Sequence, residues 1–268
     1  MTDDATVREA PVAGPVPRFE IPGWRKRYGV VAGITGRGTG GGEEGDFDLG
    51  LWTRAPVADV MTRWREFRQA EPGFHAHVMA HQAHGARLAR HGETAGWVVL
   101  DGVDGHVTSR PGVLLLVTAA DCIPIYLTAP REGAVALLHA GWRGTAAGIL
   151  ERGIRALARK VGVPPAELAM HCGVGICGDC YEVGAEVMAA CGVPAEGRGP
   201  WHLDLRSHLA ARGRALGLVN ITRSAWCSAH DRPTFFSHRA SGGTDGRMVA
   251  YLGRPDWGTG TSPGREAH

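Results

Sequence analysis

Three side chains able to bind a metal stand at the ends of apolar segments of this chain. They are His84 in His81-Gln-Ala-His-Gly85, Cys122 in Thr118-Ala-Ala-Asp-Cys-Ile-Pro124, and His139 in Leu137-Leu-His-Ala-Gly-Trp-Arg-Gly144. Two imidazoles and one thiolate suit Zn²⁺, which accepts nitrogen and sulfur ligands in a tetrahedral shell. Three protein ligands leave one position open for water or substrate, as in catalytic rather than structural zinc sites. The residue types therefore predict a catalytic zinc site.

The segments that would position these residues are strands and helices in mixed order. Helical spacing or capping signals predict helices over Ala58–Gln69, Thr145–Val161 with Thr145 as N-cap, Glu182–Ala190 and Ser207–Leu216. Apolar or extended runs predict strands over Tyr28–Ile34, Trp97–Val103, Gly112–Ala119, Ile123–Thr128, Val135–His139, Val219–Ala225 and Thr234–Ser237. Because the two kinds of element do not alternate strictly, we expect an α+β fold.

The composition of the chain limits the classes of protein to which it can belong. The chain has 268 residues, 44% hydrophobic residues and a formal net charge of +2, so it predicts a globular protein that binds neither nucleic acid nor a membrane surface. No apolar run reaches the ~18 residues of a membrane span, and the N-terminus does not resemble a signal peptide. Six dispersed cysteines favour reduced thiols in a cytoplasmic enzyme. We expect a disordered tail over 1–20, one catalytic domain over 21–256 and a flexible tail over 257–268.

Six motifs occur in an order and spacing that resemble the laccase-domain family. This family is also called the YfiH family, multicopper polyphenol oxidoreductases, or purine nucleoside phosphorylases of the laccase-domain type. The resemblance covers about residues 28 to 253. The motifs are Gln82-Ala-His-Gly85, Asp104-Gly-His-Val-Thr108, Ala120-Asp-Cys-Ile-Pro124, His139-Ala-Gly-Trp-Arg-Gly144, Cys180-Tyr-Glu-Val-Gly184 and Phe235-Phe-Ser-His-Arg239.

The resemblance implies a single YfiH-like α+β domain of mixed sheets with flanking helices. It implies zinc at the positions matching His84, Cys122 and His139, the same three residues that metal chemistry selects. It also implies phosphorolysis of adenosine, inosine or methylthioadenosine, and deamination of adenosine to inosine. The expected partners are thus a purine nucleoside and phosphate, while the oligomeric state stays open.

Further residues become candidates for the chemistry of such a site. Asp121 is either the general acid–base of deamination or a residue that orients a metal ligand. Arg143, near the start of the helix predicted from Thr145, is expected to hold phosphate as a catalytic residue. Trp142 either stacks on a purine or packs in the core. The remaining substrate-binding candidates are Arg37, Ser237 and Arg239.

The chain departs from the family pattern at several positions. Val174, Ala240 and Asp245 occupy positions where the family usually has other residues, which leaves zinc binding credible and the choice of substrate open. Cys177 and Cys180 form a Cys-x-x-Cys pair that is redox-active, binds a structural zinc, or consists of ordinary buried thiols. We interpret the pair as buried thiols.

Three alternative functions are also compatible with the sequence. A metal-independent cysteine hydrolase or amidase would use Cys122 as nucleophile, for instance on a cell-wall precursor. A copper-dependent polyphenol oxidase ranks below zinc chemistry, because one three-ligand site lacks the several coppers that four-electron reduction of oxygen normally uses. A non-catalytic accessory protein of a biosynthetic pathway is the third alternative.

Overall fold

Two large mixed sheets form the centre of the molecule. The computed structural model describes residues 5–38 and 46–257. The strands are β1 (Ala5–Val7), β2 (Ala10–Pro11), β3 (Arg18–Glu20), β4 (Val31–Thr35), β5 (Ala76–His81), β6 (Leu88–His91), β7 (Gly96–Asp101), β8 (Gly105–Thr108), β9 (Val113–Ala119), β10 (Ile123–Ala129), β11 (Ala134–Ala140), β12 (Ala169–Cys172), β13 (Glu182–Val183), β14 (Trp201–His202), β15 (Asn220–Ser224) and β16 (Met248–Gly253). The helices are α1 (Trp24–Tyr28), α2 (Val57–Gln69), α3 (Trp142–Ala146), α4 (Ile149–Val161), α5 (Ala185–Cys191) and α6 (Leu205–Ala215).

Each sheet has seven strands and contains both parallel and antiparallel pairs. The first sheet has the order β1-β15-β12-β10-β11-β8-β6, and the second has the order β2-β3-β4-β16-β9-β5-β7. Strands β10 and β11 form an antiparallel hairpin, with Pro124 opposite His139. Strands β5 and β9 are parallel neighbours. The predicted class, an α+β domain of mixed sheets with flanking helices, is confirmed.

The two sheets stack face to face between two layers of helices. On β11, Val135 and Leu137 point to the core between the sheets, whereas Ala136 and Leu138 point to the core under α4. On β9, Leu115 likewise faces the other sheet while Leu114 faces α2. Because successive side chains of a strand alternate between faces, these strands are apolar throughout. The result is a four-layer arrangement, with the Tyr126 hydroxyl donating to the carbonyl oxygen of Gly33 at 2.8 Å.

The N-terminal segment is ordered, and the predicted disordered tail is wrong for residues 5–20. Strand β1 pairs with β15 at the edge of the first sheet, while β2 and β3 extend the second. The side chain of Glu9 is buried and lies 2.9 Å from Nε2 of His171, and Arg18 pairs with the buried Glu71. In the sequence, Glu9 and Arg18 look like the charged residues of a disordered tail, because their partners are far along the chain. Residues 1–4 and 258–268 lie outside the described residues.

Most predicted elements match within a few residues, with three corrections. The helix predicted over Thr145–Val161 is two helices, because Gly148 adopts φ +79° between α3 and α4, and Thr145 is not an N-cap. The helix predicted over Glu182–Ala190 is a short strand followed by α5. The strand predicted over Thr234–Ser237 is a turn, in which the amides of Thr234 and Phe235 both donate to the carbonyl oxygen of Asp231.

None of the helices in the described part of the chain is both long enough and apolar enough to cross a lipid bilayer.

Candidate metal and catalytic site

The three predicted metal ligands come together at one end of the sheets. His84 follows β5, Cys122 lies in the turn between β9 and β10, and His139 is the penultimate residue of β11. Their candidate ligand atoms all lie within 4.8 Å of one another. The rings of His84 and His139 are nearly perpendicular, with centroids 4.8 Å apart. The sheet topology thus brings together three residues that are distant in sequence.

Asp104 holds both histidines from a fully buried position. One carboxylate oxygen, Oδ1, accepts the backbone N–H of His84 at 2.8 Å and lies 3.1 Å from Nδ1 of His139. The other, Oδ2, accepts the backbone N–H of Gly85 at 2.8 Å and that of Ala83 at 3.3 Å. A carboxylate that binds the outer nitrogen of a histidine fixes its tautomer and orients the ring. This contact leaves Nε2 of His139 available toward Cys122.

The donor set fits zinc. Two imidazole nitrogens and a thiolate are ligands that Zn²⁺ accepts, and the carboxylate behind His139 is the usual partner of a zinc-binding histidine. His84 is exposed whereas His139 is buried, so the site is open on one side only. We therefore expect three protein ligands and one position that substrate or water reaches from that side.

The two histidines also make Cys122 unusually acidic when no metal is bound. Burial by itself would raise the pKa of the Cys122 thiol, but His139 and His84 stabilise the thiolate and lower the pKa to about 6. Burial would conversely lower the pKa of His139, and the Cys122 thiolate together with Asp104 raises it to about 9. A thiolate is the form of cysteine that binds metals and acts as a nucleophile.

Backbone strain is concentrated at and beside the candidate metal ligands. Among the described residues, the non-glycine residues with positive φ are His84 (φ +58°) and Asp121 (φ +89°). Such conformations cost of the order of 1–3 kcal/mol and persist where surrounding contacts enforce them. Asp104 supplies those contacts for His84. For Asp121 they are three hydrogen bonds that its own carboxylate accepts.

Two glycines of the Gly-Trp-Arg-Gly segment allow the backbone to approach the site closely. A Cβ atom at Gly141 would lie 2.9 Å from Sγ of Cys122, and one at Gly144 would lie 2.8 Å from the carbonyl oxygen of Gly85. Both distances are too short for a side chain. These glycines therefore bring β11 and α3 against the loops that carry Cys122 and His84.

A pocket opens next to Cys122, and several predicted residues line it. Trp142 and Arg143 are among them, and so is Asp121. Tyr181 supplies an aromatic wall that the sequence interpretation missed, although it lies in the Cys-Tyr-Glu-Val-Gly motif. The lining residues are His84, Asp121, Cys122, Gly141, Trp142, Arg143, Ile176, Tyr181 and Leu205.

Asp121 is engaged in three short hydrogen bonds. Its Oδ1 accepts the hydroxyls of Ser228 and Ser237, each at 2.7 Å, and its Oδ2 accepts the backbone N–H of Arg239 at 2.7 Å. These contacts favour the second predicted role of Asp121, orientation of the turn that carries Cys122. Ser237 is fully buried, so it reaches the site through Asp121 rather than by touching a substrate.

Two predicted arginines lie beside the aromatic walls. The guanidinium carbon of exposed Arg143 is 4.5 Å from the Trp142 ring centroid. That of Arg239, also exposed, is 5.2 Å from the Tyr181 ring centroid. Cations over aromatic faces are held by the ring quadrupole, and Nη1 of Arg239 also donates to the carbonyl oxygen of Glu182 at 2.7 Å. The two residues therefore offer positive charge near the pocket.

Arg37 is not brought to this pocket. Its guanidinium contacts Asp46 and lies 2.7 Å from a carboxylate oxygen of Asp245. Asp245 also accepts the backbone N–H of Ser237 at 2.9 Å. Two carboxylates neutralise Arg37, which points to a structural role and not to phosphate binding.

The atypical residues do not alter the lining of the pocket. Val174 is fully buried in the core between the sheets, and Asp245 is buried in its ion pairs with Arg37 and Arg232. Ala240 is exposed in a turn and is not among the lining residues. The three positions that leave the choice of substrate open in the sequence therefore do not line this pocket.

The sequence is matched by a known family and by solved structures. Residues 31–255 match a family model described as multi-copper polyphenol oxidoreductase laccase, and the chain belongs to this family. The chain is 34% identical over 250 residues to the purine nucleoside phosphorylase YlmD of Geobacillus stearothermophilus, covering 84% of this chain and 90% of that protein. The crystal structure of YlmD from the same organism superposes with a TM-score of 0.80 at 30% identity, over 92% of this chain and 100% of that one.

Two further relatives differ in their names. A purine nucleoside phosphorylase of Deinococcus radiodurans is 37% identical over 210 residues, covering 75% of this chain and 78% of that protein. The adenosine deaminase RL5, from an unknown prokaryotic organism, is 36% identical over 169 residues, covering 58% of this chain and 63% of that protein. The similarity thus links this chain to enzymes named for reactions of nucleosides.

Proposed function

We propose that the protein is a zinc-dependent purine nucleoside phosphorylase with adenosine deaminase activity. The observation that carries this proposal is the meeting of His84, Cys122 and His139 beside a pocket walled by Trp142 and Tyr181. The names of the relatives supply the substrate class. Aromatic walls suit a purine ring, and the neighbouring arginines suit phosphate.

In phosphorolysis, the arginines bind the attacking group. Arg143 and Arg239 hold inorganic phosphate so that one of its oxygens approaches the anomeric carbon of the ribose. A carbon–oxygen bond forms as the glycosidic carbon–nitrogen bond breaks, and the bonding electrons leave with the purine, which takes up a proton. The products are the free base and ribose 1-phosphate.

In deamination, the protein positions adenosine and supplies the metal ligands. When bound by His84, Cys122 and His139, Zn²⁺ acts as a Lewis acid and lowers the pKa of water toward about 7. Asp104 keeps the His139 ring in the orientation that binding requires. Water adds at C6 of the purine and ammonia leaves, giving inosine.

The test combines metal analysis with product identification. The purified protein is incubated with adenosine, with and without phosphate, and the products are separated by chromatography. We expect adenine and ribose 1-phosphate only with phosphate, and inosine in both incubations. Cys122→Ala should lose both reactions. Cys191→Ala should keep them, because Cys191 is a buried thiol that neither lines the pocket nor belongs to a group of candidate metal ligands, and it donates to the backbone carbonyl oxygen of Trp142 at 3.9 Å. Release of neither base nor inosine by the wild type would contradict the proposal.

One observation favours a second candidate function, a metal-independent cysteine hydrolase. Cys122, His139 and Asp104 form a thiol–imidazole–carboxylate series in which Cys122 has a lowered pKa and Asp104 orients the base. Such an enzyme would retain activity in a strong chelator and lose it on alkylation of Cys122. The zinc enzyme would lose activity in the chelator and regain it when zinc is added.

A further inference from the structure

A second cluster of metal-binding side chains lies apart from the three ligands already described. One ligand atom from each of Cys177, Cys180, Cys227 and His230 lies within 4.8 Å of the others. Sγ of Cys177 is 3.6 Å from Nδ1 of His230. In sequence the cluster consists of two pairs, Cys-x-x-Cys and Cys-x-x-His, from distant segments. This spacing is typical of zinc ligands that come in pairs from two turns.

The backbone around Cys227 is arranged to stabilise a thiolate. The buried Sγ of Cys227 accepts the backbone N–H of Cys177 at 3.3 Å and that of His230 at 3.5 Å. The backbone N–H of Cys227 itself donates to Oδ2 of Asp231 at 2.9 Å, which fixes the turn. Amide groups directed at a sulfur compensate its negative charge when it binds a metal. Each of the two ligand pairs thus contributes one backbone N–H group that donates to Sγ of Cys227.

A disulfide accounts for this cluster less well than a metal does. A Cys177–Cys180 disulfide would leave the Cys227 sulfur and the His230 ring beside it without a function, together with the amides directed at Cys227. All three cysteines are free thiols in the structure. Three sulfurs and one imidazole nitrogen are a complete tetrahedral donor set for zinc.

We propose that Cys177, Cys180, Cys227 and His230 bind a structural Zn²⁺ ion, separate from the metal held by Cys122. Four protein ligands close the coordination shell, so this ion has no open position for a substrate. Its role is to hold two segments together. The proposal does not depend on which reaction the pocket catalyses.

One of the two segments joined by this ion lines the pocket, and the other contacts Asp121, which also lines it. The backbone N–H of Ser228 donates to the carbonyl oxygen of Gly175 at 3.0 Å, and the hydroxyl of Ser228 donates to Asp121. Ile176 and Tyr181, which flank the Cys-x-x-Cys pair, line the pocket. The ion therefore fixes the positions of Asp121 and Tyr181 without touching a substrate.

Metal content distinguishes the two sites without an activity assay. The full-length protein is purified under reducing conditions, and zinc per chain is measured by mass spectrometry. We expect about two ions for the wild type and about one for Cys122→Ala, because a four-ligand site remains intact. Adding Cys177→Ser and Cys227→Ser to Cys122→Ala, which leaves two ligands at each site, should leave none. The matched control Cys191→Ala should retain both ions.

Two further measurements cover a variant that fails to fold. His230 is exposed, so His230→Ala removes one ligand with little disturbance of the core. A chelator too weak to remove the structural zinc from the wild type should remove it from His230→Ala. Cobalt added to metal-free Cys122→Ala should give the sulfur-to-cobalt charge-transfer absorption of a thiolate site. Cys122→Ala that folds but holds neither zinc nor cobalt, or that contains a Cys177–Cys180 disulfide, would overturn the proposal. Absence of nucleoside turnover with two bound ions would overturn only the proposed reaction.

Discussion

Replacement of Asp104 by asparagine is the sharpest test of how the candidate metal ligands are held. The change keeps the shape of the side chain but turns one of its two oxygens into an amide nitrogen that cannot accept a hydrogen bond. Each oxygen accepts from two groups, so either orientation of the amide removes two contacts. If the nitrogen faces His139, it donates to Nδ1, and the proton of the neutral ring moves to Nε2, where the metal should bind.

Two magnitudes follow from this geometry. Loss of an outer partner of a metal-binding histidine costs 10- to 100-fold in metal affinity, about 1.4–2.8 kcal/mol. In the metal-free protein, the free energy of unfolding should also fall by about 1–3 kcal/mol, because buried N–H groups lose their acceptor at the fully buried Asp104.

The assays are zinc competition against a chromophoric chelator and urea unfolding followed by tryptophan fluorescence. Asp101→Asn is the matched control, because the Asp101 side chain is 91% exposed at the end of β7, where it lies 3.1 Å from Nδ1 of His81. It should behave as the wild type in both assays. Zinc affinity of Asp104→Asn within twofold of the wild-type value would refute the assigned role of Asp104.

Three other predictions concern a thiol, a carboxylate and a hydroxyl. Alkylation of Cys122 in the metal-free protein, followed by peptide mass spectrometry, should accelerate through about pH 6, and His139→Gln should move that midpoint upward because the thiolate loses a cation. Burial opposes ionisation of Asp245, but its two arginine partners lower its pKa below the unfolded value. Its stabilisation is therefore present above about pH 4 and is lost as pH falls through the lowered pKa, so the stability difference between wild type and Asp245→Asn in urea should shrink from pH 7 to pH 3. Tyr126→Phe should lower the free energy of unfolding by about 1–2 kcal/mol, since a buried backbone oxygen loses its donor, and an unchanged urea midpoint would contradict this.

The three candidate metal ligands could be selected from the sequence because each stands at the end of an apolar run, which is a local signal. The strands β10 and β11 were equally visible, since both of their faces are buried and they are apolar throughout. The role of Asp104 was not visible in this way. It depends on the pairing of β8 with β11, where Gly105 lies opposite Leu138, and sequence patterns do not specify which strands become neighbours.

The second cluster and the N-terminal strands were missed for a related reason. The Cys-x-x-His pair of Cys227 and His230 has zinc spacing, but nothing in the sequence indicates that it meets Cys177 and Cys180. Glu9 reads as part of a charged tail because its partner, His171, lies far along the chain. In each case the information lies in the topology and not in a local pattern.

Residues 5–20 form the outer edge of both sheets, since β1 is the last strand of one and β2 the last strand of the other. A truncated protein that begins at residue 21 would lack β1, β2 and β3. The hydrogen-bonding edges of β15 and β4 would then both be exposed. Bare strand edges recruit further copies of a protein, so the trimmed version should accumulate as aggregates during expression. An affinity tag placed ahead of residue 5 avoids this hazard, whereas one replacing that segment creates it.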